Sequence, residues 1–468
     1  MTAAGPLVIV GDALLDRDVD GHAERLCPDA PALVVEDARA RLRPGGAALA
    51  ARLAAAGEAE LVLIAPLGED EASAEVRDLL PGRVTVIPLP LDGPLPEKTR
   101  IRAAGRTLLR VDRPAGAPGP VGPRAAEAIG AAGALLVSDY GRGVTADPLL
   151  REALSRRAAR VPLVWDPHPK GSRPAAGTLL ATPNAGEAWR AAGLAEGGVL
   201  GAAAAAERLF GLWPAQAVAV TLGSGGALLA RPGQAPLAIP AAAVQVTDPC
   251  GAGDQFAVAV ADALHGGATL SEAVTWAVSA ATRYLAAGGV GALSGPGDVS
   301  ACEGASACES ASACEGAGAA GVAAAVRAAG GVVVAAGGCF DVLHAGHVSM
   351  LRAARSLGDC LVVCMNSDES VRRLKGPGRP LNPAADRAAV LAALDCVDRV
   401  AVFDEDTPER LLSTFEPAIW VKGGDYDGRE LPEAAALRRW GGRVVTVPYL
   451  TGRSTSRIAS AAGAPQHA

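Results

Sequence analysis

The strongest constraint on the fold is an alternation, met twice along the chain, of short apolar runs with Ala-, Leu- and Arg-rich helical stretches. The first series opens with PLVIV (6–10), which ends in Gly11-Asp12. It continues through LVLIAPLG (61–68), ALLVSDYG (134–141), VPLVWDP (161–167) and AVAVTLGSGG (217–226). The second series begins at Gly331 with GVVVAAGGCFDVLHAGH and continues through DCLVVCMNSD (359–368), AIWVKGGDY (418–426) and GRVVTVPYL (442–450). Strands alternating with helices imply βαβ units and mostly parallel sheets, so the expected class is α/β. Gly or polar residues follow the strands at their carboxyl ends, the edge where open α/β sheets bind ligands.

Between the two series lies GPGDVSACEGASACESASACEGAGAAG, a six-residue repeat of small and polar residues that cannot bury a core. Residues 1–294, 295–330 and 331–468 are therefore read as a first domain, a linker and a second domain, in keeping with a length of 468 residues. Cys302, Cys308 and Cys314 recur every six residues without a histidine, a spacing that fits no compact zinc site. Half the residues are hydrophobic but only 3% aromatic, so the cores are built from Ala, Val and Leu. A net charge of −7 argues against bulk attraction to nucleic acid or anionic lipid. No signal peptide or long apolar span is visible, and the nine cysteines read as free thiols, so a cytoplasmic location is expected.

Two constellations carry chemistry. In Asp248-Pro-Cys-Gly251-Ala252-Gly253-Asp254 a glycine turn opens a helix. Backbone N–H groups and the helix dipole there suit developing phosphate charge. Asp254 can take the proton of a sugar hydroxyl as it attacks a γ-phosphate. The bland alternative is an Asp that merely caps the helix. In Gly337-Gly-Cys-Phe340-Asp341-Val-Leu-His344-Ala-Gly346-His347, two histidines three residues apart project to similar sides of a helix start. They can donate hydrogen bonds to an α-phosphate and a leaving pyrophosphate. Core or capping histidines are one alternative; a zinc site is another, but no third and fourth ligand lies nearby.

The first constellation, together with Arg43-Pro-Gly45-Gly46-Ala, Thr182-Pro-Asn184-x-x-Glu187 and Thr221-Leu-Gly223-Ser-Gly-Gly226 in this order, resembles the ribokinase-like sugar kinases over residues 6–293. The second resembles the cytidylyltransferase-like (HxGH, Rossmann-like) nucleotidyltransferases over 331–460. VIVGDALLDRDVDG, RLCPDAPALVV and SDYGRG in the first half, with RLKG, EDTP and VKGGDY in the second, resemble the bifunctional heptose 7-phosphate kinase/heptose 1-phosphate adenylyltransferases.

The resemblance implies ATP and Mg²⁺. In the kinase half it implies Asp254 as base, Gly251, Ala252 and Gly253 as the anion hole, and Asn184 and Glu187 at the metal and ATP phosphates. It also implies Thr221, Gly223 and Gly226 at the nucleotide, and Asp12, Gly45 and Gly46 facing the sugar. Arg100 and Arg110 are candidates for a substrate phosphate, and so is Lys170, with an ordinary surface role as the alternative for each. In the second half it implies His344, His347 and Lys375 at the reacting phosphates. Phe340, Asp341, Gly346, Lys422, Gly424, Asp425, Ser454, Thr455 and Ser456 would line the nucleotide site. It further implies self-association through the kinase domain. Leu49 stands where the family carries an Asn, and Cys250 where a Thr is common. Two alternatives stand beside this reading: another sugar phosphate as substrate, and a first half that serves only as a scaffold.

Overall fold

Leu7–Gly11 has no exposed residue, which requires that the strand be flanked by neighbours on both sides and covered on both faces. The computed structural model, which describes residues 5–103, 106–246, 248–294, 318–424 and 432–448, supplies that cover. By contacts the chain divides into two units, 1–223 with 241–300 and 224–240 with 301–468.

In the first unit Leu7–Gly11 pairs in parallel with Leu61–Pro66 on one side and Ala134–Ser138 on the other. The sheet runs from Val84–Leu89 through these three to Leu163–Asp166, Thr178–Ala181 and Ala215–Thr221, every step parallel. One consequence is that Asp12, Asp139, Asp166, Thr182 and Thr221 all end or follow strands at the same edge. The helix Ala252–His265 packs on the strands Ala134–Ser138 and Leu163–Asp166, which carries its first turn toward that edge. Trp165 and the Leu, Val and Ala residues around it fill the core, as the low aromatic content requires.

Over the same edge stands a second, four-stranded sheet in the order Leu33–Gly46, Ala13–Leu26, Glu97–Ala103, Arg106–Asp112. Ala13–Leu26 and Leu33–Gly46 are antiparallel, and their register sets Asp16 opposite Arg43 and Asp18 opposite Arg41. Cross-strand opposite charges support the pairing. The strand is buried at Ala13, Leu14 and Leu15 and exposed at its far end.

The second unit centres on Val333–Gly338, parallel to Cys360–Asn366 and Ile419–Gly423, with Arg399–Phe403 and Arg443–Val447 outside them. The hairpin strands Ala227–Ala230 and Leu237–Ile239 belong to this unit, Leu237 standing opposite Thr446. Ala319–Ala328, which composition assigns to the linker, is a helix. Its Val322 and Ala323 are buried with Val333, Phe415 and Leu437, so the apolar face, not the small-residue composition, decides its state. The repeat itself, 301–317, lies outside the described residues. Among the described residues no helix is long and apolar enough to cross a membrane.

Candidate active sites

Asp254 enters the first site from the first turn of Ala252–His265. The turn before it bends at Gly251 with φ 79°, a left-handed conformation that favours glycine. A methyl group on Gly251 would lie 2.5 Å from the Tyr284 hydroxyl, which donates to the Cys250 carbonyl. Gly253 is exposed with open space where a side chain would project, so a phosphate can approach the first-turn amides. Leu49, in place of the expected Asn, is buried in the helix Ala47–Ala54 beside Gly251.

Asp254 is 7% exposed, and burial pushes its carboxyl up to about 7. The Tyr140 hydroxyl opposes that rise by donating at 2.9 Å to both carboxylate oxygens, while the Asp16 charge adds to it. Tyr140 is in turn held by Asp12. The buried Asp12 carboxylate accepts from the backbone N–H groups of Tyr140 and Arg142 at 3.0 Å and of Val144 at 3.4 Å. Asp12, expected to face the sugar, thereby also shapes the 140–144 loop. Gly45 and Gly46 serve a close approach: a methyl on either would sit 2.2 Å from Leu14 Cδ1 or from the Asp12 carbonyl oxygen.

Arg100 and Arg110 stand directly opposite each other on neighbouring strands. Both are already neutralised, Arg100 by Asp16 at 2.7 Å and Arg110 by both oxygens of Asp112 at 2.7 Å. Around Tyr140 gather three further cations. The Lys98 ammonium lies 5.5 Å from the ring centroid, Arg142 follows in the same loop, and Lys170 flanks His168, which stacks on the ring at 6.2 Å.

At the neighbouring strand ends Asn184 and Glu187 form a capping box on the helix Ala185–Ala192, with nitrogen to oxygen distances of 2.9 and 3.0 Å. Thr221 N–H donates to the Pro183 carbonyl, which holds the two segments side by side. Gly223 (φ 59°) has open space about it, and Gly226 (φ 87°) falls in the second contact unit. Asp166, unmarked by any motif, accepts from the Thr182 hydroxyl at 2.9 Å. Burial, then the charges of Asp254 and Glu187, push its carboxyl well above the ordinary 3.8. Among the described residues no three His, Cys, Asp or Glu side chains could hold a metal by themselves. Mg²⁺ ordinarily takes one or two carboxylates and completes its shell with phosphate oxygens and water, and mutually repelling carboxyls fit that demand.

In the second unit Val333–Gly338 leads into a loop that ends on His344, the N-cap of the helix Ala345–Arg355. The His344 and His347 rings stack with centroids 3.9 Å apart, and Phe340, at φ 46°, packs on His347 at 5.2 Å. Gly346 is buried between them. Burial, then the neighbouring His344 and Lys375, bring His347 down to about 4 against the opposing hydrogen bond with the Val342 backbone, so at neutral pH it is an uncharged imidazole. Lys375 closes the helix Asp368–Lys375 and is exposed.

Asp341 has a supporting task. Buried, it pairs with Arg379 at 2.6 Å and accepts from the Leu381 and Asn382 amides at 2.6 and 3.2 Å. Burial alone would raise its carboxyl, but these donors outweigh it and hold it low. Arg387, 3% exposed, donates to the Cys339 carbonyl, to the Asn366 and Asn382 carbonyls at 3.0 Å, and to Asp368 at 2.8 Å. One guanidinium thus ties three loops of the site together. Lys422 is paired with Glu433 at 2.9 Å, and the Gly424 N–H (φ 111°) donates to the Val447 carbonyl. Asp425, Ser454, Thr455 and Ser456 lie outside the described residues.

Residues 125–294 match the family described as pfkB family carbohydrate kinase, and residues 335–461 the family described as cytidylyltransferase-like. The fold is similar to Arabidopsis thaliana ribokinase complexed with ribose and ATP, with a TM-score of 0.50 and 21% identity over 62% of this chain and 97% of that one. Over 456 residues the chain is 54% identical to bifunctional protein HldE of Streptomyces coelicolor, covering 97% of this chain and 96% of that protein. The chain belongs to the HldE family. HldE of Azorhizobium caulinodans is 36% identical over 98% of this chain, and HldE of Aeromonas hydrophila 38% identical over 97%.

This HldE-family chain is accordingly a bifunctional enzyme with a ribokinase-like kinase domain and a cytidylyltransferase-like domain. Within that frame three residues that sequence reasoning passed over bear on its sites: Tyr140, Lys98 and Asp166. Tyr140 lies within SDYGRG, so its segment carried a signal. Lys98 and Asp166 carry none beyond their places at a strand's start and a strand's end.

Proposed function

We propose that this chain activates a heptose in two steps at two separate sites. In the first, Asp254 takes the proton of the O1 hydroxyl of D-glycero-D-manno-heptose 7-phosphate. O1 bonds to the γ-phosphorus of ATP, the bond from that phosphorus to the bridging oxygen breaks, and ADP leaves. The amides of Gly251, Ala252 and Gly253 would face the transferred phosphoryl as it gains charge. Asp166 and Glu187 would hold Mg²⁺, which when bound neutralises phosphate charge. In the second step an oxygen of heptose 1-phosphate attacks the α-phosphorus of ATP, pyrophosphate departs, and ADP-heptose forms. His344 and His347 donate hydrogen bonds to the phosphates, and Lys375 steadies the attacking anion. Removal of the 7-phosphate between the steps falls to a separate phosphatase.

The observation that carries this reading is a buried carboxyl at an open helix mouth, held by Tyr140, in a chain that follows HldE along 97% of its length. Six free cysteines among the described residues support a reducing, cytoplasmic setting. Leu26, Leu33, Leu109 and Val111, exposed on the four-stranded sheet, support self-association through the kinase half. The test is mass spectrometry of the products formed from heptose 7-phosphate, Mg²⁺, ATP and a heptose bisphosphate phosphatase. ADP-heptose is expected. Turnover of other sugar phosphates with none of the heptose would refute the assignment.

A further inference from the structure

The glycine turn at 250–253 is open on its amide side and held on its carbonyl side. Tyr284, in the last turn of the helix Leu270–Ala286, donates its hydroxyl proton to the Cys250 carbonyl at 2.9 Å. That helix packs along Ala252–His265, which brings the phenol to the turn. Apolar side chains flank the bond, since a methyl on Gly251 would lie 3.1 Å from Val290 Cγ2 and 3.3 Å from Leu49 Cδ2. Burial, then the neighbouring Cys250 and Asp254, hold the phenol above its ordinary 10 against the pull of Arg43, so the proton stays on its oxygen at neutral pH. The Cys250–Gly251 peptide is trans, the one cis bond among the described residues being Arg379-Pro380. In a planar trans peptide the C=O and N–H point in opposite directions. A carbonyl fixed on Tyr284 therefore fixes the Gly251 N–H on the far side of the turn. The Ala252 N–H is drawn toward the Pro249 carbonyl at 3.3 Å, which leaves more of an incoming anion to Gly251 and Gly253.

Resting on the kinase reading above, we propose that Tyr284 is a positioning residue of the phosphoryl-transfer step, aiming and polarising the Gly251 N–H through the Cys250–Gly251 peptide. Hydrogen bonds in a chain strengthen one another, so a donor on the carbonyl makes the N–H at the other end of the same peptide a better donor. The gain is largest when the phosphoryl carries most charge, and so enters kcat rather than KM. A mere tie between two helices would act differently, disturbing the binding of every ligand of the site alike. Nothing in the glycine turn announces its partner, because Tyr284 lies 34 positions beyond Cys250.

The test follows the kinase step of full-length wild type and Tyr284→Phe, which keeps the ring and removes the hydroxyl, with heptose 7-phosphate and Mg-ATP. The substitution should lower kcat about three- to tenfold, the worth of one neutral hydrogen bond, with KM for both substrates within about twofold of wild type. Inhibition of the same step by Mg-ADP should be unchanged. Inhibition by Mg-ADP with aluminium fluoride, which stands in for the phosphoryl in transfer, should weaken by the factor lost from kcat. Where Tyr284→Phe folds poorly, Tyr284→Met lacks the hydroxyl too, and its flexible side chain fills the same space for the same comparison. An unchanged kcat would overturn the proposal. So would a rise in KM and a weakening of Mg-ADP inhibition in step with kcat, the mark of a structural tie. Wild type with no turnover of heptose 7-phosphate would overturn the kinase reading, and this role with it.

Discussion

Asp254 permits a prediction with a number attached. Its carboxyl stands at about 7 against an ordinary 3.8, chiefly through burial. That rise corresponds to about 4 kcal/mol in favour of the neutral acid, an order-of-magnitude figure. Only the carboxylate can accept the O1 proton, so kcat/KM for the kinase step should rise tenfold per pH unit below about 7 and level off above it. The stability consequence has a fixed sign. The folded state binds the proton more tightly than the unfolded state, so stability is lost as pH rises from about 4 through 7. Asp254→Asn should therefore be inactive as a kinase, yet more stable than wild type at pH 8 by up to a few kcal/mol, with the advantage shrinking toward pH 4. The assay is ADP release with heptose 7-phosphate between pH 5.5 and 8.5, paired with denaturant melts of both proteins. Adenylyl transfer by the same chain uses the same nucleotide and corrects for its titration. A kinase profile flat down to pH 5, with no stability gain in Asp254→Asn at pH 8, would refute the argument that burial governs this carboxyl.

Other substitutions separate the two halves. His347→Ala should cost adenylyl transfer about a hundredfold or more, the scale for losing a donor to a charged transition state, and leave the kinase rate intact. Because His347 stands near 4, wild-type adenylyl transfer should hold its rate on the acid side well below the ordinary imidazole range; a fall centred near 6.5 would contradict the burial of that ring. Arg387→Met leaves three carbonyls and Asp368 without their donor and should lower the melting temperature of the second domain by several degrees. Gly251→Ala meets both a left-handed φ and the Tyr284 hydroxyl, and should abolish the kinase step while sparing the other, as followed by the two product assays.

Much of this was legible in the chain because its two central motifs are local. Gly251 to Asp254 and His344 to His347 each span one turn, so spacing alone places their backbone and side chains. Residues assembled from distant segments were not legible. Lys98, Tyr140 and Asp254 lie far apart in sequence, and nothing local to Lys98 marks its approach to the ring. Local patterns also conceal which task a polar residue performs. Asn184 and Glu187 also cap their own helix, and Asp341 anchors the 379–382 loop, tasks that the residue type alone does not announce. The strands Ala13–Leu26 and Glu97–Ala103 carry no apolar run, because much of their length is charged and only half-buried. The helix Ala319–Ala328 escaped it because only two of its residues are buried.

The three amides gathered by Asp12 have an implication for engineering. A loop from a relative with another sugar preference, grafted over residues 139–144, would inherit its shape from an anchor about 130 positions earlier in the chain. Transplants that ignore this first-strand carboxylate should present the right side chains at the wrong height, so the two segments are best exchanged as one cassette.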